Sequence, residues 1–191
     1  IRHRFCTLFM SFTHSVSTLK TTSVRVEVQS QTVSLNSLLD AMASSNVSSL
    51  VLGSNILPIE IGSVQHLKEL RLTINLLNTL PTEIGLLWNL EDLVVHETSL
   101  LSLPSEIGNL TSLTTLDVGG NKLSSIPTEI GQLHKLKTLS LEWNDVLNLP
   151  SQIGTMSAIE RLLVKSNRLS TLPTEIGRLS SSLRSLDVSN N

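Results

Sequence analysis

Apolar residues recur along this chain in a fixed order with polar ones between them. From residue 67 they stand at Leu67, Leu70, Leu72, Leu77, Leu80, Ile84 and Leu87, and the order begins again at Leu90. Leu113, Leu116, Val118, Leu123 and Ile126 fill the same places, as do Leu136, Leu139, Leu141, Val146 and Leu149, and then Ile159, Leu162, Val164, Leu169 and Leu172. Two apolar residues separated by one, as in Leu70/Leu72, Leu93/Val95, Leu116/Val118, Leu139/Leu141, Leu162/Val164 and Leu186/Val188, put two side chains on one face of a short strand. The residue between them points the other way. One parallel strand per unit is the expectation.

Polar and small residues punctuate the pattern just as regularly. The 6 prolines, Pro58, Pro81, Pro104, Pro127, Pro150 and Pro173, stand 23 residues apart, and each is followed four residues later by glycine. Pro-Ser/Thr-Glu-Ile-Gly predicts one turn of helix, with proline at its first position, an acid near the positive end of the dipole and glycine to stop it. Asn75, Asn121, Asn144 and Asn167 fall where the chain leaves each strand, and Thr98 breaks that column. A carboxamide can both donate to and accept from turn backbone groups that stacking has cut off from water, so a structural asparagine ladder is expected. No unit can bury its own apolar face, so units must stack into one elongated core.

The resulting frame, LxxLxLxxNxLxxLPxEIGxLxx, resembles the leucine-rich repeat family over residues 47–191, and in particular the 23-residue type with LPxEIGxL found in Ras-group-related intracellular proteins. The resemblance implies an α/β fold: a leucine-rich repeat solenoid, a curved horseshoe with a parallel β-sheet on its concave face and short helical or 3-10 turns on its convex face. About seven repeats are expected in 47–191, the last incomplete. That last unit begins at Leu183, Leu186 and Val188 and stops at Asn191, and the chain opens on Ile1, so the sequence is expected to be a fragment.

Residues 21–46 depart from the frame and predict an N-terminal cap. Val24, Val26 and Val28 alternate with Arg25 and Glu27 as in a strand, and apolar residues at helical spacing follow Ser34 as far as Met42. Val26 and Val28 stand 24 residues before Leu50 and Leu52, which suggests that this strand is the first rung of the sheet. Residues 1–20 show no period and are expected to be an irregular or disordered leader.

Composition narrows the setting. No apolar run approaches the ~18 residues that span a bilayer, so no membrane span is expected. A net charge of −2 leaves no basic stripe for nucleic acid. The single cysteine, Cys6, cannot form an internal disulfide, which favours the cytoplasm. The opening Arg2-His3-Arg4 and apolar Phe5–Phe12 only imitate a signal peptide, being short and interrupted by Thr and Ser.

With the LxL residues inward, the third, fifth, seventh and eighth positions of each unit face out on the concave sheet. Val94, Trp143 and Leu163 are apolar there, and Gly119-Gly120 leaves a gap between His96 and Trp143 that is expected to admit a partner's side chain. The candidate protein-binding patch is Asp92, Val94, His96, Asp117, Glu142, Trp143, Leu163 and Lys165. Glu142 beside Lys165, and Arg71 diagonal to Asp92, are expected to neutralise one another. The glutamate column Glu60, Glu83, Glu106, Glu129 and Glu175, with Gln152 in its place once, is expected to be structural, one acid per helix start.

No catalytic, metal or cofactor site is expected. His96 and Glu142 lie two strands apart, about 10 Å, and Asp117 is a diagonal about 7–8 Å from His96, too far for a proton-transfer pair. The sequence therefore points to a non-enzymatic protein-interaction module. The resemblance implies an intracellular signalling scaffold or adaptor, with a small GTPase or a kinase as the kind of partner. The alternatives are the ligand-sensing segment of a larger leucine-rich repeat receptor or kinase, and an extracellular recognition protein.

Overall fold

The computed structural model describes residues 6–8, 23–27, 39–40, 42–43, 47–73 and 76–191. Among these residues, nine strands form one parallel sheet in strict chain order: β1 (Cys6–Leu8), β2 (Ser23–Glu27), β3 (Ser49–Gly53), β4 (Glu69–Thr73), β5 (Asp92–His96), β6 (Thr115–Asp117), β7 (Thr138–Ser140), β8 (Arg161–Leu163) and β9 (Ser185–Asp187). From β3 on, every strand sits on an LxL pair, and the register keeps like positions together: Leu70↔Leu93, Leu93↔Leu116, Leu116↔Leu139 and Leu139↔Leu162. The stacked leucines make one continuous core, with Leu93, Leu116, Leu139 and Leu162 fully covered.

Among the described residues, six 3-10 turns return the chain along the opposite, convex face: Ile59–Ser63, Thr82–Leu86, Ser105–Asn109, Thr128–Gln132, Ser151–Thr155 and Thr174–Leu179. Each is preceded by its proline, which lies one residue outside the turn in extended conformation rather than at the first helical position, as at Pro81 (φ −67°, ψ 151°). Its carbonyl closes the turn instead, accepting from the isoleucine three residues on (Ile84 N to Pro81 O, 3.1 Å). Glycine does not stop the turn either: Gly85 lies inside Thr82–Leu86. It is there because the next turn lies against it, and a β-carbon on Gly85 would sit 2.7 Å from the Glu106 carbonyl oxygen.

The asparagine ladder forms. Asn144 Oδ1 accepts from Leu123 N at 2.9 Å, and its Nδ2 donates to the carbonyls of Val118, Leu141 and Glu142 at 3.0, 2.9 and 3.2 Å. Asn167 repeats the arrangement with Val146 N, Leu141 O, Val164 O and Lys165 O, and Asn191 does so one unit later. At the gap in the column, the Thr98 hydroxyl donates to Asn121 Oδ1. Asn75 lies outside the described residues.

At the N-terminal end the structure adjusts two expectations. The cap strand pairs Val24↔Leu50 and Val26↔Leu52, two residues away from the register that the spacing suggests. A two-residue shift keeps the same side chains on the same face, so the alternation cannot distinguish the two registers. Within the segment expected to be irregular, Cys6–Leu8 forms a further rung against Val24–Val26, so β2 is the second rung rather than the first. The helical stretch is described at residues 39–40 and 42–43, where Leu39 and Met42 are buried in the core, and Ser34 lies outside the described residues.

Candidate functional site

The outward residues of β5 to β8 and the bends that follow them build the candidate surface. Asp92, Val94 and His96 lie on β5, Asp117 on β6 and Leu163 on β8. Glu142 and Trp143 follow β7, and Lys165 follows β8. In register, Val94 faces Asp117, which faces Ser140, which faces Leu163.

The eighth position has a backbone peculiarity in five successive units. Glu97, Gly120, Trp143, Ser166 and Asn190 all have left-handed conformations, with φ of 54°, 65°, 57°, 55° and 57°. Glycine and asparagine are at ease there, whereas a bulky side chain carries a strain of about 1–2 kcal/mol. Hydrogen bonds to both neighbouring units impose the conformation on Trp143: its N–H donates to Lys165 O (3.0 Å), and its carbonyl accepts from Asn121 N (3.2 Å). The indole is 61% exposed. Its neighbours in the column are Gly120 and Ser166, among the smallest residues available, so they leave the ring uncovered.

His96 and Asp117 do come together. His96 Nδ1 lies 3.5 Å from Asp117 Oδ1, because two side chains leaning toward each other close a diagonal that looks too long from the backbone. His96 Nε2 lies 3.6 Å from Glu97 Oε1. A carboxylate oxygen thus lies near each ring nitrogen of His96. Asp117 Oδ1 is further engaged by Gly119 N at 3.0 Å.

The remaining expectations fare unevenly. Val94 is only 9% exposed, set in register between Arg71 and Asp117, and so is not an exposed apolar contact. Leu163 is partly exposed, between Ser140 and Asp187. The gap at Gly119 is filled from within the molecule: a β-carbon there would lie 3.0 Å from His96 Nδ1, and one on Gly120 would lie 3.1 Å from Glu97 Cγ. Arg71 pairs with Glu69 on its own strand rather than with Asp92. Among the described residues, Glu142 and Lys165 form no ion pair, and no group of three His, Cys, Asp or Glu is placed to hold a metal. No helix among them is long and apolar enough to cross a membrane. On the convex face, Glu83, Glu106, Glu129 and Glu175 of the glutamate column each accept a hydroxyl from the residue before them, as Glu129 does from Thr128 Oγ1 at 3.2 Å, and Trp88 is half-exposed.

Glu97 was not singled out by the sequence, because an acid in an outward column carries no mark of its own. Asn190 and Gly120 could have revealed the left-handed column, since both residue types favour that conformation.

Residues 88–146 match the family model for the leucine rich repeat. Its fold is that of a leucine-rich repeat solenoid. A leucine-rich repeat protein of Leptospira interrogans is similar at 27% identity over 90% of this chain and 49% of its own, with a TM-score of 0.77. The leucine-rich repeat ectodomain of the plant membrane receptor kinase GASSHO1/SCHENGEN3 from Arabidopsis thaliana, solved in complex with CASPARIAN STRIP INTEGRITY FACTOR 2, is 27% identical over 82% of this chain and 19% of its own, with a TM-score of 0.69. An internalin from Listeria monocytogenes shares the fold at 20% identity over 88% of this chain and 54% of its own, with a TM-score of 0.64. This solenoid thus spans about half the length of the bacterial chains and a fifth of the receptor ectodomain. None of the curated proteins matches it by sequence.

Proposed function

We propose that this solenoid captures a partner protein on its concave sheet, around Trp143, and serves as the recognition part of an intracellular scaffold or adaptor. The observation that carries the reading is the exposed indole on a left-handed backbone. Strain of this kind persists where surrounding structure imposes it and gathers at functional positions. Tryptophan is also the residue most enriched among interface anchors. Leu163 adds partly exposed apolar surface, and Asp92, Asp117, Glu142 and Lys165 supply charge around it. The likeness of the units to the Ras-group type supports an intracellular signalling role, with a small GTPase or a kinase as partner.

The test is affinity capture by the full-length protein, comparing the parent with Trp143→Gly and Leu163→Ser, each checked by circular dichroism. Partners lost from both variants support the reading. Partners retained by both well-folded variants would remove the concave face from consideration.

A second reading has an observation of its own. The similar Arabidopsis ectodomain belongs to a membrane receptor kinase and was solved with a bound factor, which supports a ligand-sensing segment of a larger receptor. Surface labelling of cells expressing the full-length protein separates the two: labelled repeats favour the receptor, and protected repeats the scaffold.

A further inference from the structure

The charges around Trp143 specify the chemistry of what it would bind. In the three consecutive units that include β5, β6 and β7, the outward concave positions carry Asp92, Glu97, Asp117 and Glu142 and no lysine or arginine. The next unit reverses the sign, with Arg161 and Lys165. The sheet face therefore has an acidic stretch that contains the exposed indole, followed by a basic one.

Glu97 stands in the same column as the ring, two units earlier. Its Cγ lies 3.1 Å from where a β-carbon of Gly120 would stand, at the column position between it and Trp143. Its side chain is 64% exposed, and its Oε1 lies 3.6 Å from Nε2 of His96, itself neighbour to Asp117. Glu142 stands next to Trp143 in the chain and forms no ion pair among the described residues. An open indole within an acidic stretch suits a guanidinium or ammonium group, which gains from the ring quadrupole and from the acids together.

Resting on the concave reading above, we propose that the occupant is a basic segment of a partner protein, which places an arginine or lysine side chain against Trp143 in the stretch that holds Glu97 and Glu142. The oppositely charged stretch at Arg161 and Lys165 sets the direction of the segment: its basic part lies over β5 to β7 and any acidic part over β8. Complementarity of this kind governs which partners are admitted and how fast they arrive.

The probe is a displayed library of random linear peptides selected on the folded chain. Enriched peptides should carry an excess of arginine and lysine. Their binding should weaken about tenfold or more in Trp143→Gly and in the Glu97→Gln/Glu142→Gln pair, and should fall with salt. A Trp143→Asn variant, also at home in left-handed backbone, guards against a folding defect in the glycine variant. Enriched peptides without a basic excess, yet lost in Trp143→Gly and Trp143→Asn, would overturn the basic occupant and leave concave binding standing. Peptides indifferent to both Trp143 variants would overturn both.

Discussion

Gly154 lies directly beneath the backbone of Glu175: a β-carbon on Gly154 would sit 2.5 Å from the Glu175 carbonyl oxygen, inside any real carbon–oxygen contact. The glycine column is thus a packing requirement between successive turns. Gly177 occupies the same place in the last turn and has nothing within 4 Å of where its β-carbon would be. We expect Gly154→Ala to destabilise the fold by about 1–3 kcal/mol, as overpacking against backbone does. Gly177→Ala should be neutral or slightly stabilising, since alanine leaves the unfolded chain less freedom to lose. Urea denaturation of the two variants checks the difference; equal losses would refute the packing account.

Asn144 holds together backbone groups from two successive units. Asn144→Ala would strip Leu123 N–H and the Val118, Leu141 and Glu142 carbonyls of that partner in a nearly dry interior. A loss of about 1–3 kcal/mol is expected, because Leu123 N–H is left unsatisfied while the three carbonyls keep Asn121 Nδ2, Asn167 Nδ2 and Gly120 N as donors. Amide exchange should show Leu123 N–H losing protection first.

Asp187 gives a pH prediction. The Ser189 hydroxyl (2.7 Å) and then the Ser189 N–H (3.0 Å) donate to its carboxylate, and with the charge of Lys165 they hold its pKa below the ordinary 3.8. The folded form therefore favours the ionised carboxylate. The contribution is present at neutral pH and disappears as the pH falls through the depressed folded value. In an NMR titration the Asp187 midpoint should lie below 3.8 and move up toward it in Ser189→Ala, which removes the larger donor. An unmoved midpoint would rule out the hydroxyl as the cause.

Trp143→Gly separates stability from binding. Relief of the left-handed strain, about 1–2 kcal/mol, opposes the loss of the part of the indole that is covered and the extra freedom of glycine in the unfolded chain. These nearly offset each other, so denaturation should place the variant within about 1 kcal/mol of the parent. A much larger loss would show that the ring packs as part of the core.

The repeat itself was legible because periodicity and burial coincide: an LxL pair states which side chains go inward, and seven units state it repeatedly. Positions such as Leu116 and Asn144 stand where their columns put them. The reasons for proline and glycine were less legible. Composition signals the ends of a helix, whereas here Pro127 caps from outside the turn and Gly131 makes room for Gln152 in the next turn. At the candidate surface the sequence placed Trp143 facing out, as it is, and passed over Glu97, and it took Val94 for exposed and His96 for isolated. Those errors concern side chains on adjacent rungs, whose reach and lean a linear pattern does not contain.

The amino-acid sequence by itself determined the strand at every LxL pair, the buried leucine rows and the asparagine ladder, because each depends on one residue type repeated at one spacing. Only the tertiary structure decided the register of β2, the left-handed backbone under Trp143, the pairing of His96 with Asp117, and the lean of Glu97 over Gly120. Each of these depends on what the neighbouring rung presents at a separation of about 4.8 Å, a quantity fixed by stacking.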